Sequence, residues 1–147
     1  MTTRKRRGIL IWAISMVAIG FGLLTIKEGG TILFGGEAEL ETAGNYVPFV
    51  LWFNFLAGFA YVIAGVGLWM QRRWAAWLAV AIAVATAFMF AAFGGHVYFG
   101  GTYEKRTVIA MSLRTLVWVA IASMAWRRLL QRTARAVAAA STKDTIE

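Results

Sequence analysis

Residues 46–73 read YVPFVLWFNFLAGFAYVIAGVGLWMQRR, and this stretch decides the fold of the chain. Its first 25 residues carry no charged side chain, so they can cross the hydrocarbon core of a bilayer as one tilted helix. Four small or polar residues fall by their spacing on one face of that helix: Asn54, Gly58, Tyr61 and Gly65. Because lipid offers an amide or a phenol no hydrogen-bond partner, this face is predicted to point at other helices.

Three further apolar segments are long enough to span a membrane, which gives predicted spans at residues 8–26, 46–70, 74–93 and 107–126. Hydrophobic residues make up 60% of the chain, charged residues 15%, and the mean hydropathy is +0.65. A soluble domain of 147 residues has no core that could bury four such segments. We predict an all-α, polytopic membrane protein: one four-helix bundle followed by a basic tail at residues 129–147.

The formal net charge of +8 is divided unevenly between the two sides of the predicted bundle. Eleven basic residues lie on the side of the termini: Arg4, Lys5, Arg6, Arg7, Arg72, Arg73, Arg127, Arg128, Arg132, Arg135 and Lys143. Only Lys27, Lys105 and Arg106 lie in the connections on the opposite side. By the positive-inside rule both termini are predicted to be cytoplasmic. The basic residues are expected to meet anionic lipid headgroups and not nucleic acid.

The N-terminal basic run and the apolar segment after it resemble a signal peptide, but the apolar segment is too long for one. We therefore predict a retained signal anchor. The short, compact layout suggests a multi-pass protein of a bacterial inner membrane. Tryptophans mark the predicted cytoplasmic interface, namely Trp69, Trp74, Trp77 and Trp126.

Arg114 is the one charged residue inside a predicted span. An arginine at a helix centre costs about 2.5–3.5 kcal/mol on insertion scales, so its side chain should face the bundle interior or water. Counted from the outer ends of the predicted spans, Asn54 and Thr86 lie at about the same depth as Arg114. Two interpretations stay open: a polar pocket that binds an anionic or hydrogen-bonding amphiphile, or a structural arginine that locks the bundle.

The predicted mouth of this pocket carries further polar side chains. Tyr61 shares the helix face of Asn54, and His96 and Glu104 lie at the outer end of the bundle.

Met89 and Met111 with His96 could form a soft Cu(I) site, although methionines in apolar helices usually serve packing. The chain has no cysteine, no recognisable catalytic or haem motif and no phosphate-binding loop. No enzymatic activity, metal or cofactor is therefore predicted.

Two stretches of the sequence repeat at an offset of 65 residues. Residues 29–36 read GGTILFGG and residues 94–101 read GGHVYFGG. The repeat suggests duplicated helical hairpins. The glycine pairs suggest either two flaps over the outer end or two ordinary glycine-rich turns.

Small residues in two helices are spaced for close packing. Ala18 and Gly22 suggest either helix packing within the chain or a homodimer seam, and a second stripe comprises Ala75, Ala79, Ala83 and Ala87.

Residues 65–69 (GVGLW), residues 73–76 (RWAA) and a helix ending near His96 resemble the middle of DoxX-like four-helix membrane proteins. Gly20-Phe21-Gly22 with Lys27 resembles the end of their first helix, whereas Asn54 stands where a more acidic residue is expected. Such proteins are mostly accessory components of redox or maturation systems, so the resemblance implies a membrane partner.

Two classes of function follow from the sequence. The first is a non-enzymatic accessory or ligand-binding membrane protein, or a small transporter, with an outward-facing polar pocket. Its predicted site residues are Arg114, Asn54, Tyr61, Thr86, His96 and Glu104. The second is a structural or assembly subunit of a larger redox or transport complex. Membrane lipids, an amphiphilic ligand, and a second copy or another membrane protein are the expected partners.

Overall fold

The structure, a computed structural model, describes residues 2–144 and the side chains of residues 8–142. The side chains of Arg4, Lys5, Arg6, Arg7 and Lys143, and residues 145–147 of the predicted tail, lie outside this set. The described chain forms five helices: α1 (Thr2–Phe34), α2 (Glu37–Ala43), α3 (Pro48–Trp69), α4 (Arg73–Tyr98) and α5 (Lys105–Asp144). All except α2 are long and apolar enough to cross a membrane. The prediction of an all-α, four-helix membrane protein is confirmed.

The four long helices are arranged as two hairpins. The most extensive packing is between α1 and α3 and between α4 and α5, while α3 joins the hairpins by packing against α4. The core is centred on Tyr61 of α3 and Trp118 of α5, whose fully buried rings lie 4.6 Å apart. Lipid-facing positions account for the many exposed apolar side chains, since a bilayer imposes no cost on them.

Glycines bring α1 and α3 into backbone contact. A Cβ atom at Gly22 would lie 2.8 Å from the backbone oxygen of Gly58, and one at Gly65 would lie 3.1 Å from the backbone oxygen of Ser15. The predicted polar and small face of α3 therefore does point at another helix. Ala18 and Gly22 are buried within the chain, and Gly22 faces α3, so this pair serves helix packing within the chain.

The glycine pairs of the repeat behave differently from the predicted flaps. Gly29 and Gly30 lie inside α1, and Gly94 and Gly95 lie inside α4, so neither pair opens a flap. At Gly29 the missing Cβ lets α1 approach α3 closely, since a Cβ atom there would lie 3.1 Å from the Cβ of Phe55. The second pair of each repeat ends its helix, with positive φ at Gly36 and Gly100.

Two helix ends consequently differ from the predicted spans. Helix α1 continues to Phe34 instead of residue 26, and α4 continues to Tyr98 instead of residue 93. Helix α3 begins at Pro48, a position where the missing N–H of a proline is not needed. Helix α5 runs without interruption through the predicted tail as far as Asp144.

Candidate functional site

A cavity of about 720 Å³ opens at the end of the bundle where α1 ends and α5 begins. Its walls come from the last turns of α1, the short helix α2, the start of α3 and the first turns of α5. The charged and amide side chains that line it are Lys27, Glu28, Glu39, Asn54, Glu104, Arg106 and Arg114. We call it the Arg114 cavity.

Arg114 is the deepest charge in this cavity and is only 7% exposed. Its Nη2 donates a hydrogen bond to Thr25 Oγ1 at 3.5 Å, and its Nη1 donates to Met111 Sδ at 3.6 Å. The guanidinium also lies 5.8 Å from the centroid of the Phe21 ring, within range of a cation–π interaction. Its Nε has no hydrogen-bond partner among the described residues. A group with five N–H donors thus makes two long hydrogen bonds, one of them to a weak sulfur acceptor.

Asn54 lines the same cavity as Arg114, as the sequence predicts, but it does not serve the guanidinium. Its Oδ1 is buried and accepts no hydrogen bond from any described residue. Asn54 is six residues into α3 and Arg114 nine residues into α5, so the amide lies nearer the mouth. The two polar groups therefore both face the cavity without satisfying each other.

Glu104 lies at the mouth and joins two connections of the chain. Its Oε1 accepts a hydrogen bond from the backbone N–H of Asn45 at 3.1 Å. Gly44 precedes that residue with a positive φ of 64°, and a Cβ there would lie 2.8 Å from the same carboxylate oxygen. The carboxylate is thus part of the wall that holds the α2–α3 connection against the start of α5.

Tyr61 and Thr86 are fully buried, but neither lines the Arg114 cavity. Neither hydroxyl has a hydrogen-bond partner among the described residues. Thr86 is deeper than predicted because α4 continues to Tyr98, which places it twelve residues, or about 18 Å, below that end. These two residues form a polar layer beneath the cavity.

His96, like Tyr61 and Thr86, is a predicted site residue that lies away from the Arg114 cavity. Its ring packs edge-on against Phe49 at 6.0 Å between centroids, and its Nε2 lies 3.4 Å from the backbone oxygen of Thr102. It does not line the Arg114 cavity. The extension of α4 explains this, since His96 belongs to its last turn and not to a loop over the mouth.

Thr25 is the site residue that the sequence analysis missed. It is 6% exposed, and its hydroxyl accepts a hydrogen bond from Arg114. A span ending at residue 26 places Thr25 at the membrane surface. In the structure it lies nine residues before the end of α1 at Phe34, and Arg114 lies nine residues after the start of α5 at Lys105. If α1 is continued through Gly29 and Gly30, Thr25 and Arg114 both lie about 13 Å from the outer ends of their helices.

The chemistry available in the cavity is recognition of a polar or anionic group. Arg114 supplies unused N–H donors, Asn54 supplies an unused amide oxygen, and the rim carries charges of both signs. Among the described residues, no group of three or more His, Cys, Asp or Glu side chains is placed to hold a metal ion. Met89 and Met111 pack in an apolar cluster with Val50 and Phe93.

No protein family, curated protein or solved structure matches this chain. The resemblance to DoxX-like proteins accordingly stays a prediction.

Proposed function

We propose that this protein is a non-enzymatic, ligand-binding membrane protein whose Arg114 cavity takes the anionic or strongly hydrogen-bonding head of an amphiphile. The observation that carries the proposal is the state of the Arg114 guanidinium. It is buried, it faces a cavity, and its Nε and much of its donor capacity are unused by the described residues. A buried charge is costly unless its hydrogen bonds are completed, and an anionic head would complete them.

The size and lining of the cavity support a small molecule as the occupant. Ligand pockets commonly measure about 300–1,000 Å³, and the Arg114 cavity falls within that range. Apolar residues such as Ile32, Val50 and Leu51 line it beside the polar ones, which suits a molecule with an apolar body and a polar head. The amide oxygen of Asn54 offers a second contact to a head that carries a donor.

The direction in which the cavity opens follows from the charge distribution. The end with the cavity carries Lys27, Lys105 and Arg106. The other end carries Arg72 and Arg73 and the arginines in the second half of α5, namely Arg127, Arg128, Arg132 and Arg135. With the more basic end in the cytoplasm, the cavity opens outward and the ligand enters from the outer side or the outer leaflet. A bacterial inner membrane is the compartment we propose.

The competing function is a structural or assembly subunit of a larger redox or transport complex in the membrane. In such a subunit Arg114 and Asn54 would be expected to satisfy each other, and the small-residue seams would be free for a partner. Instead Asn54 Oδ1 has no hydrogen-bond partner among the described residues, and Ala18, Gly22, Ala75 and Ala79 are buried within the chain. These observations favour ligand binding.

Mass spectrometry of co-purifying molecules tests the proposal. Wild type, Arg114→Gln and the control Arg127→Gln would be purified in a mild detergent and their organic extracts compared. Arg127 is an exposed arginine of the same helix that does not line the cavity, so its loss tests charge alone. We expect one amphiphile in wild type and the control that is depleted in Arg114→Gln. Equal extracts from all three proteins would contradict the proposal.

A further inference from the structure

A second, smaller cavity lies at the opposite end of the bundle from the Arg114 cavity. It is a small groove of about 50 Å³ between α1, the α3–α4 turn and α5. Its apolar wall includes Ile11, Ile14, Leu68, Met124 and Leu129. Its polar rim consists of Gln71, Arg72, Arg73, Arg128 and Arg132. We call it the arginine groove.

The arginine groove is held in shape by a contact between α5 and the α3–α4 turn. Arg132 donates hydrogen bonds to the backbone oxygen of Gln71, at 2.9 Å, and to its Oε1. Gln71 has a positive φ of 55°, a conformation that side-chain-bearing residues seldom adopt. Arg132 therefore anchors the turn from which Arg72 and Arg73 project, and it joins the extension of α5 to the membrane-spanning part.

The charge at the rim is of one sign. Four arginines line the groove, and no Asp or Glu is among the described residues that do. Five of the acidic residues, Glu28, Glu37, Glu39, Glu41 and Glu104, belong to the other end of the bundle. Arg72 and Arg73 are exposed, so their guanidinium groups are accessible to an anion.

The arginine groove also lies at the depth of a membrane interface. Trp69 and Trp74 flank the turn and are about half exposed, at 54% and 48%, as expected for an interfacial tryptophan belt. A molecule bound here would have its polar part at headgroup level and its apolar part beside Ile11 and Leu129. Basic pockets between membrane helices are known to take anionic lipid headgroups.

We propose that the arginine groove is a binding site for an anionic phospholipid of the surrounding leaflet. Its phosphate is held by Arg72 and Arg73, and an acyl chain lies against the apolar wall. Planar guanidinium groups suit this role because they donate two parallel hydrogen bonds to a phosphate. The site does not depend on the ligand of the Arg114 cavity.

Lipid titration followed by native mass spectrometry tests this site. Delipidated protein would receive phosphatidylglycerol or phosphatidylcholine, and wild type should retain the former in preference. Arg72→Gln/Arg73→Gln should bind phosphatidylglycerol about 30-fold more weakly, equivalent to about 1 kcal/mol for each arginine. The control Arg127→Gln/Arg135→Gln removes the same charge from exposed residues of α5 that do not line the groove, and it should remain close to wild type.

Three results would overturn the proposal: equal weakening in the two double variants, no preference of wild type for the anionic lipid, or displacement of the lipid by inorganic phosphate alone. The first result would indicate general surface attraction, and the third a soluble phosphoryl ligand. If the groove double variant does not fold, the single variants Arg72→Gln and Arg73→Gln replace it. Each is then expected to bind about fivefold more weakly.

Discussion

Arg114 Nη2 and Thr25 Oγ1 lie 3.5 Å apart and connect α5 to α1 across the inner end of the Arg114 cavity. The two helices belong to different hairpins, since α1 packs mainly against α3 and α5 packs mainly against α4. This hydrogen bond therefore links the two hairpins at the point where the ligand head is proposed to bind. Because it is long, it stabilises the arginine only in part.

Thr25→Val is expected to lower the stability of the bundle by about 0.6–2 kcal/mol, because it removes an acceptor from a buried cation. Thermal unfolding of the purified protein in detergent would measure this loss. Thr31→Val is the matched control, since Thr31 is exposed on the same helix and its hydroxyl bonds only to the backbone oxygen of Lys27. A loss of stability as large in the control would show that the link to Arg114 contributes nothing.

A double-mutant cycle distinguishes direct contact from a shared ligand. Asn54 and Arg114 are predicted from the sequence to lie at about the same depth in the membrane, but Asn54 Oδ1 has no partner among the described residues. The stability effects of Asn54→Leu and Arg114→Leu should therefore add within about 0.5 kcal/mol in delipidated protein. Coupling well above that value would show that the amide does bond the guanidinium and would leave the cavity without its second binding group.

The crossing of α1 and α3 depends on two glycines that face each other. Gly22→Ala and Gly58→Ala should each destabilise the protein by about 1–3 kcal/mol, because the new methyl groups would overlap the opposite helix. Gly20→Ala is the control, since a Cβ there has no atom within 4 Å, and it should be neutral or slightly stabilising. Urea or thermal unfolding reports the difference. Similar melting temperatures for the three variants would argue against this close crossing.

The sequence was sufficient for the four membrane-spanning helices. Hydropathy and length located every long helix, and the cost of burying a charge identified Arg114 as the residue to explain. Asn54 and Glu104, which the sequence grouped with Arg114, line the same cavity, and their role in binding a ligand stays a prediction. The bilayer constrains each segment locally, so these features can be predicted from one segment at a time.

The errors arise where packing between segments overrides local preference. Gly29 and Gly30 favour a turn in isolation, yet they stay helical where α1 lies against Phe55. That continuation moved Thr25 from the predicted surface to the depth of Arg114. The same error in α4 moved His96 out of the predicted mouth and Thr86 beneath the cavity. A single sequence does not contain the distances that decide such cases.

The orientation in the membrane can be tested with single cysteines, because the chain has none of its own. Glu41→Cys in α2 and Val137→Cys in α5 are suitable positions, since both residues are exposed. With cytoplasmic termini, a membrane-impermeant maleimide should label Glu41→Cys in intact cells and Val137→Cys only after permeabilisation. The reverse pattern would contradict the proposed orientation and place the Arg114 cavity on the cytoplasmic side.

A high-resolution density map of the protein purified in native lipid tests the central claim most directly. Ligand binding predicts continuous, amphiphile-shaped density in the Arg114 cavity, with its head within hydrogen-bond distance of Arg114 Nε and facing Asn54 Oδ1. The structural alternative predicts a closed cavity in which the Asn54 amide has turned to bond the guanidinium. A map of that second kind would contradict ligand binding and make Arg114 a structural lock of the bundle.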